Sequence, residues 1–157
     1  MSTLLDTDFL FRLLNERDSL HAQAIGYYSY YLEGIQKLCL STISVAEYAT
    51  AGTVGQLPLE DLHLLPFNIE HAACYGELFG LLMRHHEATR TLFTPTPTLG
   101  DDLKLLAQAQ VEKDIDGFLT ADESTISLYI QLQALTHLTF KIIDARKGHQ
   151  ETFGVLF

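Results

Sequence analysis

Short apolar runs alternate with longer stretches of helical periodicity along the chain. Five runs are predicted to be strands, the third being the weakest: residues 3–6, 38–43, 64–67, 117–120 and 138–143. Apolar spacings of three and four residues predict helices at about residues 8–16, 18–35, 44–52, 58–61, 69–90, 101–113 and 122–136, with a Pro- and Thr-rich loop at 94–100. Strands that alternate with helices indicate an α/β fold, with a central, mainly parallel sheet of about four or five strands flanked by helices.

The second helix is predicted to bury one face. Asp18 can cap it, and apolar positions then recur at Leu20, Ala24, Tyr27, Tyr31 and Ile35. Tyr27 and Tyr31 lie on this stripe and are interpreted as core or dimer contacts, whereas Tyr28 and Tyr30 lie off it and are better candidates for an interface. The apolar C-terminal residues are expected to pack back onto the domain, with a partner interface as the alternative.

Composition is typical of a globular chain. The 157 residues are 47% hydrophobic and 19% charged, which fits a single domain spanning residues 1–157. No apolar run approaches the roughly 20 residues that a membrane-spanning helix needs, and the first residues lack the features of a secretion signal. We therefore expect a cytoplasmic protein with no membrane partner. Cys39 and Cys74 lie in apolar segments and are interpreted as buried free thiols.

The net charge of −10 restricts how the protein could meet a nucleic acid. Proteins that hold nucleic acid through its phosphates normally present a basic stripe, and the sequence shows none. This argues against a tight general nucleic-acid binder. It leaves room for an enzyme that reaches a polyanion through metal ions, or for an acidic surface that meets a basic protein partner.

Four acidic residues follow the predicted strands or open the helices. Asp6 ends the first strand, Glu47 is placed in the first turn after the second strand, Asp102 opens the helix after the Pro-rich loop, and Asp122 follows the fourth strand. In a parallel sheet these positions share one edge, where ligands bind. Oxygen-only ligands suit Mg²⁺ or Mn²⁺, and two such ions can activate a water for attack on a phosphodiester.

Each acid also has an ordinary structural interpretation as a helix start. Ser44 and Glu47 have the spacing of a capping box, and Asp101 or Asp102, and likewise Asp122, could be an N-cap. Asp6 is the exception, because an apolar strand followed by Asp-Thr-Asp is unusual for a plain cap. Four suitably placed acids together favour a functional site more strongly than any one of them alone.

The acids and their surroundings resemble the PIN-domain family, and within it the VapC-like toxin ribonucleases of type II toxin–antitoxin pairs. The resemblance rests on four segments in order, LLDTDFLFRLL, ISVAEY, DLKLLAQA and DGFLTADES, which span nearly the whole chain. It implies a three-layer PIN-like fold, Mg²⁺ or Mn²⁺ as cofactor and endoribonuclease activity on RNA. It also implies a cognate antitoxin partner, frequent homodimerisation, catalytic and metal-binding roles for Asp6, Glu47, Asp102 and Asp122, and support from Thr7 or Thr120.

The chain departs from the family pattern in three respects. Asp8 stands where the family often has Asn or a small polar residue, and it is either an extra metal ligand or a helix cap. Asp101 competes with Asp102 for the third acidic position, although the apolar register of the helix favours Asp102. The acidity leaves RNA binding unexplained, and the candidate phosphate contacts are Arg12, Arg17, Lys37, Arg84 and Arg90.

The sequence is also compatible with two functions other than a ribonuclease. Asp-x-Asp after a strand is also the arrangement of a nucleophile and its acid–base partner in aspartyl-phosphate (HAD-like) phosphatases. Those enzymes need a downstream lysine and a further acidic pair after later strands, which this sequence does not place well. The third possibility is a catalytically silent module that kept the PIN fold for interaction alone.

Overall fold

A computed structural model describes residues 1–89 and 97–154. The strands are β1 (Ser2–Leu5), β2 (Lys37–Ser41), β3 (His63–Leu65), β4 (Ile115–Thr120) and β5 (Lys141–Asp144). The α-helices of this part of the chain are α1 (Thr7–Leu14), α2 (His21–Glu33), α3 (Thr42–Ala49), α4 (Ile69–Thr89), α5 (Pro97–Val111), α6 (Glu123–Leu135) and α7 (His149–Phe153). No helix within these ranges is both long and apolar enough to cross a bilayer.

The five strands form one parallel sheet in the order β3-β2-β1-β4-β5. The predicted α/β class is therefore confirmed, and the sheet is parallel throughout. The chain builds β2 and β3 on one side of β1 and then crosses to build β4 and β5 on the other. The order thus reverses between β1 and β4, and in open α/β sheets ligands bind at such a point, beyond the carboxyl ends of the strands.

Alternate residues of the central strands enter cores on opposite faces of the sheet. Leu4 and Phe118 belong to the core that packs against α4, α5 and α6. Leu5 and Leu119, the next residues along their strands, belong to the core formed with α1 and α2. Because successive side chains of a strand point to opposite faces, strands covered on both sides are apolar without interruption. The result is a three-layer arrangement of helices, sheet and helices.

Several predicted boundaries are wrong. The short helix at 58–61 is a turn, preceded by one turn of 3₁₀ helix at Val54–Gln56. Helix α5 begins at Pro97 rather than at 101, since proline is favoured in the first helical turn; residues 94–96 of the predicted loop lie outside the described part. Helix α2 ends at Glu33, so Ile35 is not on its buried stripe and is fully exposed.

The chain packs its own C-terminal helix onto the tyrosines of α2. Tyr27 is fully buried and its hydroxyl lies 2.6 Å from Thr152 Oγ1, and Phe153 stacks on Tyr30 with 4.4 Å between ring centroids. Tyr28 donates a hydrogen bond to Asp61. Tyr28 and Tyr30, the interface candidates, therefore contact the chain itself. The prediction that the C-terminal segment packs back is confirmed as far as Phe153, and residues 155–157 lie outside the described part.

We predict that Gly117→Ala destabilises the centre of the sheet. A Cβ at Gly117 would lie 2.8 Å from Ile143 Cδ1 and 2.9 Å from Thr3 Oγ1, on the two neighbouring strands. Since Thr3 is β-branched and its hydroxyl is hydrogen-bonded to Tyr31, it cannot move freely. The free energy of unfolding should fall by about 1–3 kcal/mol, measured by urea denaturation followed by circular dichroism.

The matched control for this prediction is Gly76→Ala. Gly76 lies exposed on α4, and a Cβ at this position would have nothing within 4 Å, so the change should be neutral or stabilise the helix by up to about 1 kcal/mol. Equal effects of the two substitutions would contradict the close approach of strands at Gly117.

Candidate functional site

Asp6 is a buried carboxylate that does not cap its helix. It occupies the N-cap position of α1, yet its side chain makes no capping hydrogen bond. Instead it accepts a hydrogen bond of 2.6 Å from the hydroxyl of Thr120, and it is only 1% exposed. The backbone holds the same pair of strand ends together, because Asp6 N donates to the carbonyl of Leu119 at 2.9 Å.

Burial raises the pKa of Asp6 to about 8. The hydrogen bond from Thr120 works in the opposite direction, and the negative charges of Asp102, Asp8 and Asp122 raise the pKa further. A carboxylate kept in an apolar setting among other carboxylates costs stability unless a cation or a proton neutralises it. Such perturbed groups cluster at functional sites.

The four predicted acids line one open cleft of about 370 Å³ at the carboxyl edge of the sheet. The residues that line it are Asp6, Thr7, Asp8, Phe11, Glu47, Asp102, Asp122 and Ser124. Asp101 is not among them. It lines a neighbouring depression and lies 3.4 Å from Lys104 Nζ in an ion pair. The structure thus separates the two adjacent aspartates in the way that the apolar register of the helix predicts.

Glu47 is held by a threonine of another helix. Thr7 Oγ1 donates to Glu47 Oε1 at 2.9 Å and lies 2.8 Å from Ser44 Oγ. The predicted capping box of Ser44 and Glu47 is wrong, because Ser41 is the N-cap of α3 and accepts from the amide of Ile43. Glu47 lies in the second turn, not the first, and is free to face the cleft. Burial raises its pKa, which Thr7 opposes.

Asp102 likewise lies in the second turn of its helix. Because α5 begins at Pro97, neither Asp101 nor Asp102 is an N-cap, contrary to that interpretation of the sequence. Burial raises the pKa of Asp102 to about 7, and the charges of Asp122 and Glu47 add to the increase. Asp6 and Asp102 are therefore two carboxylates of the same cleft whose pKa values are raised by burial and by the neighbouring acids.

Asp122 has a structural role as well as a place in the cleft. It caps α6, accepting from the amide of Ser124 at 3.1 Å and from the hydroxyl of Thr125 at 3.0 Å. Its own amide donates to Thr120 Oγ1 at 3.0 Å. Thr120 therefore links two acids, since it donates to Asp6 and accepts from the backbone of Asp122. The capping interpretation of Asp122 is correct and does not remove it from the cleft.

Within the described part of the chain, none of the cations proposed to contact phosphate lies free in the cleft. Arg12 forms ion pairs with Asp8 at 2.9 Å and with Asp18 at 3.1 Å. Arg17 is exposed and does not line the cleft. Lys37 and Arg84 do not line it either, and Arg90 lies outside the described part of the chain. Sequence reasoning did not single out Phe11 and Ser124, which do line it; their positions just after Asp6 and Asp122 were the available signal.

The donor set fits a hard divalent cation. Every charged side chain that lines the cleft in the described part of the chain is a carboxylate, and oxygen ligands are those that Mg²⁺ and Mn²⁺ prefer. Across residues 1–89 and 97–154, no three His, Cys, Asp or Glu side chains stand close enough together to hold one ion without adjustment.

The fold and cleft define the class of protein: a three-layer, PIN-like α/β domain with acids at the carboxyl edge of its sheet. Among solved structures it is similar to VapBC2 from Rickettsia felis bound to a DNA fragment from its promoter, with a TM-score of 0.59, 16% identity, and coverage of 92% of this chain and 100% of the other. It is also similar to DNA-bound VapBC from Salmonella typhimurium, with a TM-score of 0.57 and 13% identity, and to FitAcB from Neisseria gonorrhoeae, with a TM-score of 0.57 and 16% identity. Each of these two matches covers 92% of this chain and 98% of the other chain. No protein-family model and no curated protein sequence matches the chain.

We predict that Asp6→Asn stabilises the protein at high pH when divalent cations are removed with EDTA. The pKa of Asp6 is raised in the folded state to about 8 from 3.8, so the stability contributed by this group is full below about pH 4 and is lost as the pH rises towards 8. Asp6→Asn removes this loss. Its advantage should grow from near zero at about pH 4 to about 1–5 kcal/mol above pH 8, measured by urea denaturation across this range. A difference that does not change with pH would contradict the buried carboxylate.

Proposed function

We propose that the protein is a Mg²⁺- or Mn²⁺-dependent endoribonuclease, the VapC-like toxin of a toxin–antitoxin pair. The observation that carries the proposal is Asp6, a buried carboxylate at the topological switch point that caps nothing and faces three other acids across a cleft. A purely structural aspartate at this position would cap α1 and be solvated or ion-paired.

The chain supplies ligands and their orientation, with no side chain acting as nucleophile. Bound divalent cations would supply the activated water and would neutralise the charge that develops on the phosphate. Asp6, Glu47 and Asp102 would hold the cations, with Asp122 completing the set. Thr120 fixes the Asp6 carboxylate and Thr7 fixes that of Glu47 through hydrogen bonds of 2.6 and 2.9 Å, as partners of metal ligands commonly do.

Asp8 and Asp101 have lesser parts in this proposal. Asp8 lines the cleft but is neutralised by Arg12, which makes it an accessory ligand at most. Asp101 is paired with Lys104 outside the cleft. No lysine is among the residues that line the cleft in the described part of the chain, so nothing favours an aspartyl-phosphate phosphatase. A silent module would not need the buried carboxylates of Asp6 and Asp102, which lower the stability of the fold.

The likeness to VapBC and FitAcB structures supports a toxin-type role with a protein antitoxin as partner. The proposals of an RNA substrate and a homodimer rest on the resemblance of the four sequence segments to PIN-domain toxins, and a location in the cytoplasm stays an expectation from the sequence. The net charge of −10 is consistent with a basic antitoxin segment, since opposite charges steer association.

We predict that Asp6→Asn abolishes metal-dependent RNA cleavage. Purified, partner-free protein incubated with mixed structured RNAs should cleave them with Mn²⁺ and not with EDTA. Asp6→Asn should reduce the rate by more than 100-fold and Thr120→Val by about 10- to 100-fold, because Thr120 only orients a ligand. Asp101→Asn is the matched control, an acid of the same region outside the cleft, and it should retain activity.

Cleavage that persists in Asp6→Asn or in EDTA would overturn the proposal. So would an absence of cleavage by wild-type protein that circular dichroism and size-exclusion chromatography show to be folded and free of partner. Hydrolysis of a small phosphate monoester, lost in Asp8→Asn, would favour the phosphatase instead.

A further inference from the structure

Phe11 differs from Phe9, Leu10 and Leu13 of α1 in the surface that it faces. Phe9, Leu10 and Leu13 are 0–5% exposed and belong to the core. Phe11 is 37% exposed, and it is the one aromatic side chain among the described residues that line the acidic cleft. Successive helix positions are about 100° apart, so Phe11 points away from the core that its neighbours fill.

The ring of Phe11 packs against a second aromatic ring of the protein. Tyr48 of α3, only 8% exposed, lies with its ring centroid 5.3 Å from that of Phe11. The Tyr48 hydroxyl is 3.3 Å from Gln56 Oε1, and the same oxygen accepts from the amide of Thr53 at 2.9 Å. This support reduces the freedom that Phe11 would lose on binding a ligand, and such preorganisation favours affinity.

Among residues 1–89 and 97–154, the side chains that line the cleft include no basic group. All five charged residues among them are carboxylates, and Arg12 is engaged by Asp8 and Asp18. Metal ions can neutralise the phosphate at the reacting centre, but they do not hold the nucleotides on either side. An aromatic ring binds a base through stacking, which requires no positive charge.

The geometry points to Phe11 as the stacking platform for an unpaired base next to the scissile phosphate, so that the protein selects RNA that is single-stranded at the cleavage point. This inference rests on the proposed ribonuclease function and adds a specificity-determining contact to it. Paired bases in an A-form helix are stacked on each other and cannot lie on the ring.

The direct test compares binding of short single-stranded RNA to variants in the cleavage-deficient Asp6→Asn background, by fluorescence anisotropy with Mg²⁺ present. Adding Phe11→Ala should weaken binding roughly tenfold, and Phe11→Trp should retain or improve it. Phe11→Leu, which is apolar but has no ring, should not restore it. Leu14→Ala is the matched control, because Leu14 is 36% exposed on the same helix outside the cleft.

Two further readouts separate stacking from phosphate contact or general damage. A set of RNAs is prepared in which each member lacks one base. At one position, removing the base should lower the affinity of the protein with Phe11 roughly tenfold and leave the affinity of Phe11→Ala unchanged. The slope of affinity against salt concentration should be unchanged by Phe11→Ala, because no phosphate contact is lost. The inference is overturned if Phe11→Ala or Phe11→Leu binds RNA as tightly as the protein that keeps Phe11. It is also overturned if removing a base lowers the affinities of the Phe11 and Phe11→Ala proteins equally at every position.

The proposed function and this inference fail in different ways. If wild type cleaves RNA and Phe11→Ala cleaves it with the same KM and kcat, stacking is wrong and the nuclease stands. If wild type cleaves no RNA while the base-removal experiment gives the expected pattern, Phe11 is a stacking residue of a non-catalytic RNA-binding site. If the wild type neither cleaves nor binds RNA, both are overturned.

Discussion

The parallel pairing of β1 with β4 is the constraint on which the rest of the structure depends. These two strands meet where the strand order of the sheet reverses, although they lie more than 100 residues apart in sequence. Their pairing brings the end of β1 against the end of β4, so Thr120 can donate to Asp6 across the strands. The helices that follow each strand then begin around the same cleft, and α3 and α5 add Glu47 and Asp102 from either side. The cleft is therefore a consequence of topology and not of local sequence.

The same convergence creates an electrostatic cost. Burial and mutual repulsion raise the pKa of Asp6 to about 8 and that of Asp102 to about 7, so the folded protein favours protons or cations in the cleft. The threonines relieve this cost only in part, by one hydrogen bond to each of two carboxylates. A fold selected for stability alone would replace these acids, and functional sites commonly keep such destabilising groups. A role in binding cations therefore explains these acids better than a role in stabilising the fold.

Much of the fold and of the acid set could be predicted from the sequence, because both depend on local patterns. Uninterrupted apolar strands, helical spacing and acids at strand ends indicated the parallel sheet and the edge at which Asp6 and Asp122 meet. What the sequence could not give depends on contacts between distant segments. Thr7 binds Glu47 in place of a capping box, and buried His71 pairs with Glu112, 41 residues away. Phe11 could not be distinguished from a core residue either, since its exposure depends on how α1 is rotated against the sheet.

The central claim is that these carboxylates form a divalent-cation site that requires Asp6. The most direct measurement is the melting temperature against Mn²⁺ concentration, above pH 8, for wild type and Asp6→Asn. The account predicts that a cation about 100-fold above its dissociation constant adds about 2.7 kcal/mol to wild type, a rise of roughly 5–10 °C, and that Asp6→Asn shows little of this increase. An equal rise in both proteins, or no rise in wild type, would contradict it.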